Sequence, residues 1–406
     1  MALIVQKYGG TSVANPERIR HVARYIVDCH DQGNQVVAVV SARAKQTDEL
    51  IAMAREICPE PSPRELDMLL SIGEQMSCAL MAMAIHALGR KAVSLTGSQV
   101  GIRTDNIYSK AKIKEIDNRR ILNHLANGEI VVVAGFQGVD DFNNITTLGR
   151  GGSDTTAVAI AAAIKADVCD IYTDVEGVYT ADPRIVPEAR LIKRICYDEL
   201  LEMASLGAKV MHSRAVEIAK RFDVPFRVRS SFTLTEGTFV CKEVPEMEKI
   251  TVRGAAVDKN EAKITIRGVT DKPGVAARIF GEIAAQNLNV DMIIQNISAN
   301  GRTDVSFTVT KADLPKALKV ANKIKDEIEA TEVLSDDKIA KISVVGIGMR
   351  SHTGVAEKMF RALAEAQVNI QMISTSEIKI SCVINENKAD EALRAVHKAF
   401  ELDKVE

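Results

Sequence analysis

Tryptophan is absent from these 406 residues, aromatics make up only 4%, and no run of basic residues occurs. The stacking platform and the electrostatic footprint of a nucleic-acid binder are therefore both missing. No stretch approaches 18 uninterrupted apolar residues, so a membrane-spanning helix is not expected. The seven cysteines include no C-x-x-C pair and the seven histidines form no ligand-like cluster, which leaves ordinary thiols in a reducing, cytoplasmic setting and no direct metal site. Two large phosphoryl-transfer classes also drop out, because G-x-x-x-x-G-K-[ST] and the H-R-D and D-F-G pair are missing.

What is present is ordinary globular composition, with 46% apolar and 26% charged residues and a formal net charge of -2. That length supports two or three packed domains with their own cores. From residue 1 to about 235, short β-branched runs alternate with helical periodicity. The runs at Leu3 to Gln6, Gln35 to Ser41, Lys91 to Leu95, Glu129 to Ala134, Val168 to Thr173 and Pro225 to Val228 read as strands. Polar caps mark helix starts at Asn15, Thr47 and Ser62. Repeated β-α order predicts an α/β sandwich with a largely parallel sheet, whose ligands gather at the carboxyl ends of its strands.

Sliding the remaining sequence against itself by 80 positions exposes an internal repeat. The segment starting at Asp271 lies over the one starting at Ser351, and Gly274, Val275, Ala276, Phe280, Ala284, Asn289, Met292 and Ile293 recur as Gly354, Val355, Ala356, Phe360, Ala364, Asn369, Met372 and Ile373. Each copy follows an alternating strand, at Lys263 to Gly268 and at Lys341 to Gly346, and reads as an α+β, ferredoxin-like module of β-α-β-β-α-β order. The second copy ends one strand short. The strand-like run Ile250 to Val257 fills that edge, so the first module (263–338) is expected to sit inside the second (246–262 and 339–406), behind a catalytic region of 1–245.

Two glycine-rich turns carry the chemistry. In the first, Lys7, Tyr8, Gly9, Gly10, Thr11 and Ser12 follow the opening strand, which makes either a plain turn or a phosphate cradle with a lysine point charge. In the second, Gly149, Arg150, Gly151, Gly152, Ser153 and Asp154 open a small-residue helix, where free N–H groups meet an anion and Arg150 can grip a carboxylate. A polar loop after Tyr172, running through Thr173, Asp174, Tyr179, Asp182 and Arg184, suits a nucleotide. Lys209, next to Val210, is either a further phosphate-facing cation or a solvated one. On pattern alone Glu74 reads as a solvated helical carboxylate.

Together, KYGGTS, TDEL, GEQMS, TTLGRGGSDTTA, YTDVEGVYTADPR and LGAKVMHSRAVE, in this order and spacing, resemble the amino acid kinase family, and the tandem repeat is similar to its paired ACT modules. The resemblance implies ATP-dependent phosphorylation of the side-chain carboxylate of L-aspartate, with Mg²⁺ carried by ATP. It implies that Lys7 stabilises the transferring phosphoryl group and that Asp154 orients it. Ser41, Thr47, Glu74, Arg150, Gly151, Gly152 and Ser153 would bind the acceptor, Glu74 through the ammonium. Lys7, Tyr8, Gly9, Gly10 and Ser12 would bind ATP together with Thr173, Asp174, Tyr179, Asp182, Arg184, Lys209 and Val210. After Ser41 the family commonly has a glycine-containing stretch, whereas Arg43 and Lys45 stand in this one.

The same resemblance implies feedback by lysine, threonine or both at the modules. In the first, Asp271, Gly274, Val275, Ala276, Asp291, Met292, Ile293 and Gln295 would contact the effector. In the second, Thr353, Gly354, Val355, Asn369, Ile370, Thr375, Ser376 and Glu377 would do so. Assembly is expected as a homo-oligomer or with a shorter regulatory chain starting at Met247, and no nucleic-acid or membrane partner is expected.

Overall fold

The computed structural model describes residues 1–205, 211–233, 235–242, 251–297, 301–350 and 352–404, and they fall into two compact units. Lys209, Val210, Met247 and Ser351 lie outside the described residues.

The first unit comprises Met1–Val178 and Leu191–Pro245. Its eight-stranded sheet has five neighbouring parallel strands at its centre, Phe226–Ser230, Val168–Thr173, Leu3–Tyr8, Gln35–Val40 and Ile130–Ala134. The antiparallel strand Thr238–Cys241 extends one edge. Burial on both faces explains why these strands read as unbroken apolar runs such as QVVAVV and IVVVA. On one face, helices Pro16–Asp31 and Ile72–Ala87 press Ile19, Val22, Ile26, Met81 and Ile85 onto Val36, Ala38, Val40 and Val132. The other carries the mostly buried helix Gly152–Ile164.

Asn15 caps its helix as read, its side chain accepting from the Arg18 N–H at 2.9 Å. Thr47 is not a cap. The tight turn closed by Gln46 N–H to the Arg43 carbonyl starts the helix at Gln46, which places Thr47 inside its first turn. The apolar stretch Pro63–Ala87 is long enough to cross a membrane, but it bends at Ser71 into two helices and half of it is buried in the protein.

A small sheet of strands Ile102–Thr104, Ile113–Ile116, Gln137–Val139 and Ile145–Thr147 was not visible in the sequence. Strands of three or four residues carry too little alternation to register as a period.

The second unit comprises Tyr179–Arg190 and Glu246–Glu406. Strands Ile293–Ile297, Arg302–Thr310, Glu261–Thr270 and Glu332–Asp336 form one antiparallel sheet in that order. The other has the order Gly254–Asp258, Ile339–Val345, Lys379–Asn385, Ile370–Thr375. Gly254–Asp258 thus pairs with Ile339–Val345, across the whole length of the intervening module. The segment Tyr179–Arg190 contributes Ala181 and Val186 to the core of this unit. Thr180 is held there by the Ala255 N–H at 2.8 Å and by His397 Nε2 at 3.0 Å.

Candidate active site

Strand alternation decides which way the first turn faces. Tyr8 points into the core and stacks on Tyr172 at 4.7 Å, while Lys7 turns to the opposite side. There its ammonium meets Asp154 Oδ1 at 2.6 Å, with both side chains largely shielded from solvent. Asp154 lies in the first turn of the helix Gly152–Ile164, whose free N–H groups favour anions. Gly151 precedes that helix at φ 69°, and a Cβ there would meet His212 at 2.3 Å. No residue with a side chain fits at position 151.

Around the Lys7–Asp154 pair opens a cavity of about 570 Å³. It gathers Gly9 and Gly10 from the first turn, and Arg150, Gly151, Gly152 and Ser153 from the second. Ser41, Thr47 and Glu74 complete the set read from the sequence. Ala42, Asp48, Ile51, Leu66, Leu70, Ser109, Phe136 and Thr147 also line it; Asp48 and Thr147 fall within quoted motifs but were given no role, and the other six belong to none.

Glu74 is not solvated. It is 4% exposed, accepts from the Ala42 N–H at 3.0 Å through Oε1, and has no hydrogen-bond partner for Oε2 among the described residues. Burial pushes its carboxyl up to about 7, partly offset by the Ala42 N–H. Glu74 lines the cavity, so Oε2 can accept from a donor there. The loop carrying Ala42 is stitched to the first glycine turn by Ala44 N–H to the Gly10 carbonyl. Lys45 adopts φ 67° in this loop, a left-handed conformation that glycine reaches without strain.

The other expected nucleotide residues are spread more widely. Ser12 is buried and donates to Ser231 Oγ at 2.8 Å. Thr173 and Asp174 are joined by a side-chain hydrogen bond of 3.1 Å in the first unit. Tyr179, Asp182 and Arg184 belong to the second, where Arg184 pairs with Asp182 at 2.7 Å.

The first module has a cavity of its own, about 340 Å³, which brings together Asp271, Gly274, Val275, Ala276 and Gln295 with Thr270, Lys272 and Thr303. Asp291 instead pairs with Lys341, Met292 is buried in a cluster with Ile339, Met372 and Val383, and Ile293 is exposed. In the second module, Gly354 precedes a helix at φ 91° just as Gly274 does at 97°. Val355 faces the core, while Thr353, Asn369, Thr375, Ser376 and Glu377 are exposed and Ile370 is half-buried.

The amino acid kinase family model matches residues 2–230, and the ACT domain model matches twice, over 264–323 and 342–400. An aspartate kinase of Stutzerimonas stutzeri strain A1501 is 54% identical over 404 residues, which span 99% of this chain and 98% of its own length. Aspartokinase III of E. coli in complex with aspartate and ADP (R-state) matches with a TM-score of 0.83 at 26% identity, over 98% of this chain and 99% of that one. The same enzyme in complex with lysine and aspartate (T-state) matches with a TM-score of 0.77 at 27% identity, over the same shares.

Proposed function

The chain belongs to the amino acid kinase family, among its aspartate kinases with two C-terminal ACT modules, and from that premise we propose that it transfers the γ-phosphoryl group of ATP to the side-chain carboxylate of L-aspartate, giving 4-phospho-L-aspartate and ADP. The observation that carries this reading is the union, in one cavity, of the Lys7–Asp154 pair, both glycine turns and the half-satisfied carboxylate of Glu74. An in-line transfer through a loose transition state needs positioning and neutralisation of charge more than covalent chemistry. Lys7 supplies the charge and Asp154 holds its ammonium in place. The N-terminus of the helix Gly152–Ile164 adds donors. Glu74 takes the substrate ammonium, and Arg150 takes its α-carboxylate bidentately. Ser41, Thr47 and Ser153 border the acceptor.

Among the described residues no group of three or more His, Cys, Asp and Glu side chains is gathered for a metal. Mg²⁺ would enter with ATP on its phosphates, where it would help neutralise their charge. In the same reading the catalytic domain is 1–245, the first module 263–338, and the second 246–262 with 339–406. Lysine, threonine or both act as feedback ligands at the modules, in a cytoplasmic homo-oligomer or with a shorter chain starting at Met247. A coupled ADP-release assay with aspartate, glutamate and acetylglutamate, repeated with lysine and threonine added, tests the whole. Turnover with glutamate exceeding that with aspartate would overturn the substrate assignment.

A further inference from the structure

The glycine turn at 149–152 is not held by its own backbone alone. Two charged side chains that are absent from the cavity wall grip the chain segments leading into it. Asp67, in the helix Pro63–Leu70, is completely buried. Its Oδ2 accepts from the N–H of Thr147 at 2.7 Å and of Ser109 at 2.9 Å, and its Oδ1 from the hydroxyls of Thr147 at 2.8 Å and Ser109 at 3.2 Å. Arg214, in the helix Ser213–Phe222, donates to the carbonyls of Leu148 at 2.9 Å and Ala111 at 2.7 Å. The two gripped segments are bonded to each other through Ala111 N–H and the Thr147 carbonyl, 2.9 Å apart. Asp67 therefore takes their N–H groups and Arg214 their carbonyls.

A buried ionised carboxylate costs free energy unless its oxygens are saturated with donors, and both oxygens of Asp67 are supplied here. The gripped residues are at the cleft. Ser109, Thr147 and Gly149 line the cavity, and a Cβ on Gly149 would come within 2.9 Å of the Ser109 carbonyl oxygen. Ser109 thus packs closely against Gly149, which leads into Arg150 and the start of the helix that carries Asp154.

The geometry points to Asp67 and Arg214 as positioning residues, a paired clamp from two helices that fixes the glycine turn against the acceptor substrate. This rests on the reading of the cavity as the aspartate site, and wild-type turnover with aspartate tests that reading first. Neither residue touches substrate, so each acts through Thr147, Leu148 and Gly149.

In D67N one oxygen can still accept the two N–H groups, but the NH₂ group meets hydroxyls that must reverse to accept from it and the negative charge is lost, which loosens the grip on the turn. R214K keeps the charge but loses the two-pronged grip. A displacement of about 1 Å in a positioning element is worth on the order of 10- to 100-fold in rate. Steady-state kinetics on the full chain should show the KM for aspartate rising about tenfold or more and kcat falling in both variants. The KM for ATP should stay within about twofold. Because both side chains act on one turn, the D67N/R214K double variant should be little worse in kcat/KM for aspartate than the worse single one. Should D67N fail to fold, R214K alone decides by its KM split. Wild-type aspartate KM in R214K, equal rises in both KM values, or strictly additive effects in the double variant would each overturn the clamp.

Discussion

Two buried lysines sit against carboxylates among the described residues, and they stand in opposite surroundings. Lys7, 9% exposed, faces Asp154 at the wall of a 570 Å³ cavity. Lys341, 3% exposed, lies between Glu261 at 3.1 Å and Asp291, beside the apolar cluster of Met292, Ile339, Met372 and Val383. Burial works against the Lys341 charge, yet the two carboxylates more than offset it and raise its pKa. The first lysine borders a cavity and can meet a ligand. The second is closed, so its charge is spent on the fold.

The comparison breaks most visibly at Lys7. Lys7→Ala and Asp154→Ala should each lower kcat by about 10²- to 10³-fold or more, with circular dichroism and melting temperature close to wild type, because they remove charge stabilisation made in the transition state. Turnover within threefold of wild type in either variant would dismiss the site assignment.

At Lys341 the same kind of substitution should do the reverse. K341M leaves Glu261 buried without its cation and should cost about 3–5 kcal/mol in unfolding free energy, with uninhibited kcat largely kept in the surviving folded fraction. The double variant E261M/K341M should recover most of that loss, since an apolar pair of similar volume replaces the ions. Urea unfolding followed by far-ultraviolet circular dichroism measures both, and equal losses in the single and double variants would contradict the account.

Glu74 sharpens the contrast through pH. Its carboxyl sits at about 7 when folded, above the ordinary 4.5. A folded state that holds this proton longer loses stability as pH rises from about 4.5 to 7, and the cost is complete above 7. The rise corresponds to roughly 3 kcal/mol at most. The melting temperature of E74Q relative to wild type should therefore be higher at pH 8 than at pH 5. In wild type the KM for aspartate should fall as pH rises from 6 to 8, because only the ionised carboxylate attracts the substrate ammonium. A flat KM over that range would remove Glu74 from the ammonium site.

Sequence patterns revealed the parts of this site that depend on backbone shape. Gly149 to Asp154 could be read from its own residues, because adjacent glycines beside an arginine at a helix start suit an anion, whereas Lys7-Tyr8-Gly9-Gly10 left a plain turn open until the resemblance was drawn. Glu74 could be read only through resemblance. One carboxylate in the helix IGEQMSCALMAMAIHA does not reveal which face is buried, and this one is nearly sealed. Asp67 gave no signal at all, since an acid inside PRELDMLL looks like any helical surface charge until the strands it holds are brought to it. The association of Tyr179–Arg190 with the second unit was hidden for a similar reason. Ala181 and Val186 are too few to mark a packed segment by periodicity.

The smallest expected effects lie in the regulatory modules, where the repeat makes one copy a control for the other. The cavity of the first module opens at the start of the helix Val275–Ala285, and a Cβ on Gly274 would meet nothing within 4 Å, so the helix N–H groups there are reachable by a carboxylate. Asp271 lines the same cavity with a carboxylate of its own, held in place by its N–H to the Gly301 carbonyl at 2.9 Å. One end of the cavity thus favours the carboxylate of an amino acid and the other its ammonium. In the second module the residue equivalent to Asp271 is Ser351, which carries no charge for an ammonium. The two modules should therefore differ in ligand or affinity, and Asn369, exposed beside the strand Ile370–Thr375, takes the place of Asn289 in the second copy. Coupling between effector and catalytic sites is typically about 1–3 kcal/mol, so loss of a single contact should raise the half-inhibitory concentration several-fold while leaving uninhibited kcat near wild type. Inhibition curves for D271A and N369A, taken with lysine alone, threonine alone and the two mixed, measure this. The expected outcome is a larger shift for D271A, because it removes a charge rather than an amide, and identical wild-type curves in both variants would move the effector sites elsewhere.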